Sequence, residues 1–211
     1  MMHAYDECYL DDAMKNLGEA MDYAVNQCQL SMSEFMQMFI ASGYAKLFEK
    51  GTPRYVSGLS GTELVCDILF RVESKSDFPT IQIEYSCSKE YWCGWILAYY
   101  QWYSGKSFKD ILSCLPMEQI ERMYPAMHEA SEQRFVDAVE NMIARKTSAT
   151  KLQTLRRLNG YSQRILAEKS GIHLRNVQQY EQRAKDINKA AVSTLVALAK
   201  TLNCQIEDLL E

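Results

Sequence analysis

Gly160 and Gly171 stand with only ten residues between them, and Ser162 sits just inside the first. Glycine takes the positive φ that ends a helix at little cost, and serine at a helix N-terminus satisfies an otherwise unpaired amide. This punctuation confines a helix over Gln163–Lys169 to about two turns, with Ile165, Leu166 and Ala167 available for packing. Upstream, Leu152, Leu155 and Leu158 place an apolar stripe on a helix that stops before Asn159. Downstream, Ile172 closes the turn, and a helix over about Leu174–Gln182 turns Val177 and Tyr180 inward. The rest of that helix, Arg175, Asn176, Gln178, Gln179 and Gln182, consists almost wholly of long or polar hydrogen bonders. A fourth helix starts near Asn188 with Val192, Leu195, Leu198, Ala199 and Leu202 inward, and a last turn, Ile206–Leu210, folds back on the core.

The charge divides at the same place. Residues 1–150 hold 13 Lys and Arg against 21 Asp and Glu, a net of −8. Residues 151–211 hold 10 against 6, a net of +4, and together they account for the chain's −4. Every Trp and Phe precedes residue 136, leaving Tyr161 and Tyr180 as the rear aromatics. An acidic front repels a polyanion, whereas a basic rear attracts one. Two domains with different tasks are expected: an acidic, aromatic-rich helical domain over 1–146, a polar linker at 147–150, and a small domain over 151–211.

Leu166-Ala167-Glu168-Lys169-Ser170-Gly171-Ile172, the polar helix ending in Tyr180-Glu181-Gln182-Arg183, and the closing Ile206-Glu207-Asp208-Leu209-Leu210 resemble the Cro/phage-repressor (XRE-type) helix-turn-helix family. The resemblance spans essentially all of 151–211. Small Ala167 and Gly171 suit two helices that approach closely across a sharp bend. The resemblance implies a five-helix, lambda-repressor-like DNA-binding domain whose third helix enters the major groove, with the start of the second against the backbone. Arg175 and Gln179 are then the expected base readers, one helical turn apart on one face. Arg suits the two acceptors of guanine, and Gln the acceptor and donor of adenine. Asn176 and Gln178 flank them as readers of bases or phosphates. Gln163 is expected to hold a phosphate with its amide and backbone N–H. His173, Gln182, Arg183, Lys185 and Arg156 are further phosphate candidates, or else solvated surface groups.

Two positions depart from the family pattern. Leu174 stands where a polar residue is frequent, so it touches a thymine methyl or rests on the core. Gln182-Arg183 replaces the frequent Arg-Gly, so the helix exit lacks its glycine. Glu181, acidic on a DNA-facing helix, is expected to pair with a nearby Arg and orient it. Dimers of the family meet through the fourth and fifth helices, which makes Leu195, Leu198, Leu202 and Leu209 candidates for that contact or for plain core.

In the front part, Ser31-x-x-Glu34 and Ser60-x-x-Glu63 are capping boxes, and Ser107-x-x-Asp110 is a looser acidic version. They predict helices at about 33–49, 61–72 and 107–114, and apolar periodicity adds 11–28, 89–103 and 131–146. Thr80–Tyr85 alternates as a strand would, and serves as an edge ribbon, a pairing strand for another protomer or extended loop. The fold class is therefore mainly α, with at most this one short strand or ribbon. Glu90–Tyr103 holds every Trp, with Trp92, Trp95, Tyr99 and Trp102 on one broad face, while the opposite face is hardly more polar. Two readings stand for it: core, or a surface for a partner or ligand. Residues 1–150 also resemble the leading domain of small regulators encoded beside toxin genes.

The longest apolar run, Trp95–Tyr100, is far short of a membrane span, and Met1–Glu7 lacks the basic start and apolar stretch of a secretory signal. A cytoplasmic protein without membrane contact is expected. Seven Cys without a Cys-x-x-Cys pair, and three scattered His, predict no metal site and reduced thiols that fill apolar core. Residues 1–150 hold no phosphate loop, metal triad, nucleophile elbow or carboxylate pair, so no catalytic residue and no cofactor is assigned. The expected function is a sequence-specific DNA-binding transcriptional regulator, a repressor that binds a double-stranded operator as a homodimer. Its front domain binds a toxin, as an antitoxin does, or another protein. The alternatives are a small-molecule sensor with its pocket in the front domain, and an enzyme with a DNA-binding tail.

Overall fold

The computed structural model describes residues 3–80 and 88–211, the side chains of 145–147 excepted. Most of the ribbon expected at 80–85 therefore lies outside the described residues. Two compact units form, Met1–Glu140 and Asn141–Glu211.

The front unit holds α1 (Leu10–Asp22), α2 (Met32–Ser42), α3 (Tyr44–Glu49), α4 (Gly61–Glu73), α5 (Lys89–Ser104), α6 (Phe108–Cys114), α7 (Met117–Met127) and the start of α8 (Glu132–Thr147). Both capping boxes form: Ser31 and Ser60 each cap with the hydroxyl while Glu34 and Glu63 reach back to the cap amide. The helix expected over 33–49 is broken at Gly43, whose φ of 82° turns the chain left-handed between α2 and α3. No capping box in the sequence announces helix α7. Its Pro125 suggests a break, yet falls in the last turn, where it removes one hydrogen bond without ending the helix.

Close approach organises this unit. A Cβ on Gly94 of α5 would lie 2.3 Å from the Leu17 carbonyl oxygen of α1, so the two backbones touch. Gly61, opening α4, sits equally tight on α1, 2.4 Å from the Ala20 nitrogen by the same construction. Helix α1 is thus clasped by α5 and α4, burying Leu17, Ala20 and Met21 completely. Phe35, Phe39, Phe48 and Phe108 form a second centre with ring centroids 5.5–6.1 Å apart.

The aromatic run of α5 belongs to this interior. Trp92 is 7% exposed, edge-on to Tyr124 and Phe135. Trp102 is 5% exposed, stacked on His3 at 3.8 Å, with its indole N–H donated to the Tyr5 carbonyl. The surface expected from Trp92 and Trp102 is thereby corrected: both satisfy their apolar area and Trp102 its N–H within the chain. Trp95 and Tyr99 remain half-buried. Of the described cysteines only Cys93 is fully buried, while Cys8 and Cys114 are exposed, so the apolar-core reading does not extend to all of them.

Helix α8 runs to Thr147, and residues 148–150, within the linker expected at 147–150, are non-helical before α9 begins at Lys151. Among its described residues, the buried Phe135, Val136 and Val139 lie before Glu140, which accepts the Tyr100 hydroxyl at 2.6 Å. The two compact units divide after Glu140.

The rear unit contains α9 (Lys151–Leu158), α10 (Gln163–Ser170), α11 (Leu174–Glu181) and α12 (Val192–Leu202), with a 3-10 turn at Ile187–Lys189 before α12. Ser162 caps α10 by accepting the Ile165 N–H, and Gly171 ends it at φ 71°. The closing turn buries Leu209 completely against Leu152, Leu166, Val177, Tyr180, Leu198 and Leu202. Leu195, Leu198, Leu202 and Leu209 are all core residues, which removes them as dimer contacts. Among the described residues no helix is long and apolar enough to cross a membrane.

Candidate nucleic-acid interface

Two short helices meet across a three-residue turn, and their outward side is polar. Gly171 supplies the left-handed bend, Ile172 packs on the core, and His173 caps α11 with its Nδ1 accepting the Arg175 N–H at 3.2 Å. Val177 and Tyr180 anchor α11 inward. Leu174 also packs against this core, which favours its apolar role over contact with a base. Arg175 is exposed in the first turn, and Asn176, Gln178 and Gln179 are half-buried beside it. Among the described residues, none of these four side chains is held by a hydrogen bond or ion pair. Their polar ends carry donors and acceptors with no internal use.

The same domain holds a buried polar network. The Glu181 side chain, 1% exposed, accepts from Arg156 Nε at 2.6 Å and from Arg156 Nη2 at 2.9 Å, in a bidentate pair. Arg156 Nη1 donates to the Tyr161 carbonyl at 2.7 Å. The remaining capacity of Glu181 accepts the Gln163 amide at 2.8 Å. The carboxylate holds the guanidinium protonated beyond its ordinary range. Arg156 is therefore not a phosphate ligand, contrary to expectation: its donors are spent inside. The expected pairing of Glu181 with an Arg is present, and its function is to lock α9, α10 and α11 together.

The other expected contacts divide. Gln163 opens α10, where the first amides of the helix lack intrahelical acceptors, and its side-chain amide donates to Glu181. Gln182 is exposed at the end of α11. Lys185 lies 5.6 Å over the Tyr180 ring, and Lys169 lies 4.4 Å over Tyr161. Arg183 donates to the Ser148 carbonyl at 2.6 Å and pairs with Glu211 at 3.1 Å, so its guanidinium too is engaged within the unit. The missing glycine at 183 marked this place in the sequence, whereas Ser148 and Glu211 carried no signal of their own.

A capped two-turn helix, a glycine bend and a second helix with a free polar face define a helix-turn-helix DNA-binding domain. More particularly, residues 151–211 match the family model of the Cro/C1-type HTH DNA-binding domain. Neither the comparison with curated proteins nor that with solved structures finds a match. The chain thus carries a Cro/C1-type DNA-binding domain in its rear unit, which supports a DNA-binding transcriptional regulator.

Proposed function

We propose that the chain is a sequence-specific repressor that reads an operator with α11 in the major groove. Arg175 donates to guanine, Gln179 forms a bidentate pair with adenine, and Asn176 and Gln178 contact the flanking bases or phosphates. The α10 N-terminus and Gln163 hold a phosphate and set the register. One observation carries this reading: among the described residues the polar side chains of Arg175, Asn176, Gln178 and Gln179 on α11 make no hydrogen bond or ion pair.

The chain acts on DNA as a homodimer, with half-sites about one helical turn apart. Val192, 71% exposed on α12, is available for pairing where the buried leucines are not. The front unit, with its net acidic charge, binds a protein with a basic surface, and an antitoxin covering its toxin is the specific form of this role. Location in the cytoplasm follows from that assignment.

A gel-shift series on the promoter of its own gene tests the reading. Arg175→Ala and Gln179→Ala are each expected to cost about 1–3 kcal/mol of operator affinity, concentrated at one operator position. Gln163→Ala weakens all sequences alike. Operator affinity unchanged in both reader variants would remove α11 as the reading element. Co-purification of a neighbouring gene product with the full chain supports the partner role.

A further inference from the structure

Arg183 occupies a position that suits glycine and fills it with the longest cation available. Helix α11 ends at Glu181, and Arg183 takes φ 55°, the left-handed region where a Cβ crowds the backbone. Its N–H reaches the Tyr180 carbonyl at 3.2 Å and the Lys185 N–H reaches Gln179 at 3.1 Å, so this turn closes the last carbonyls of the helix. Glycine would make the same turn without strain. What glycine lacks is the side chain. Nη1 donates to the Ser148 carbonyl at 2.6 Å, and Nη2 donates to Ser148 Oγ at 3.4 Å and to the Glu211 carboxylate at 3.1 Å. The other Glu211 oxygen accepts the Lys151 N–H at the start of α9, at 2.8 Å. The Glu211 N–H in turn donates to Asn188 Oδ1 at 3.0 Å. Ser148 follows α8 directly, its N–H on the Ala144 carbonyl at 2.8 Å.

We infer that Arg183 is a positioning residue for base reading, clamping the exit of α11 to the end of α8 and the start of α9. The inference rests on the reading of α11 as the base-reading helix. The residue does not act as a phosphate ligand: its donors face Ser148 and Glu211. It fixes the end of α11 against α9 and thereby the register of Arg175 and Gln179.

The test uses the full chain and a duplex enriched by the wild type from a randomised pool, with a scrambled duplex of the same composition as reference. Arg183→Gly is expected to lose about tenfold in affinity for the enriched duplex. The scrambled duplex should bind as before, with the salt dependence unchanged. Arg183→Lys, which keeps the charge but not the fork, falls between. In the free protein the amide protons of Lys151 and Lys185 exchange faster in the Gly variant. Equal losses on both duplexes, with a salt slope shallower by about one, would make Arg183 a phosphate contact and overturn the proposal. Wild-type affinity in Arg183→Gly, or unchanged amide exchange, overturns it as well. A wild type that enriches no duplex overturns the base-reading function, and this role with it.

Discussion

Burying the Glu181 carboxylate strips it of water, and three donors from Arg156 and Gln163 replace that hydration. Removing one partner leaves the other charged and unsolvated. Glu181→Ala is therefore expected to cost about 3–5 kcal/mol, read as a lower urea midpoint. The paired change Arg156→Met with Glu181→Leu removes both charges and should restore most of that stability. If the double variant is no more stable than the single one, the loss is one of packing, not of an orphaned charge. Polar bonding at this site serves to hold three helices in one register.

Helix contacts in the front unit depend on missing side chains more than on added ones. Gly94→Ala would press a methyl into the Leu17 carbonyl and Met21, neither of which can yield without moving α1. A loss of about 1–3 kcal/mol in unfolding free energy is expected. An unchanged unfolding midpoint would mean that α5 stands off α1. The capping boxes give this unit a pH dependence. The Ser31 hydroxyl and N–H hold Glu34 below the usual carboxylate range, and the Ser60 N–H and hydroxyl do the same for Glu63. A depressed folded pKa confers stability that is complete above the unfolded carboxylate's value and lost as pH falls through the folded one. The urea midpoint should therefore drop below about pH 5, and less steeply when both residues are changed to Gln. Equal pH slopes in the two proteins would exclude the boxes as its source.

Across the whole molecule, the basic excess of the rear unit overstates the charge available to DNA. Arg156 is buried in its pair, Arg183 is clamped, and Arg164 and Lys189 lie against Glu168 and Asp186. Arg175, Lys169 and Lys185 remain as cations of α10, α11 and the turn after them. Each phosphate neutralised contributes about −0.9 to the slope of log affinity against log salt, so a shallow slope of about −2 to −3 per chain is expected. Fluorescence anisotropy across a salt series measures it, and a much steeper slope would place further cations on the backbone.

The helix-turn-helix was legible because its signals are local. A serine cap, a glycine bend and an apolar spacing of three are read within a few residues, and so are the boxes that start α2 and α4. Outward polar residues on α11 follow from the same periodicity. What tertiary packing alone decided is where long amphipathic side chains spend their donors and their area. Arg156 and Trp102 look surface-capable by type, yet each finds partners distant in sequence, Glu181 for one and His3 and Tyr5 for the other. The fastening of Arg183 to Ser148 and Glu211 depends likewise on contacts that no local pattern encodes, since burial is set by which elements meet in space.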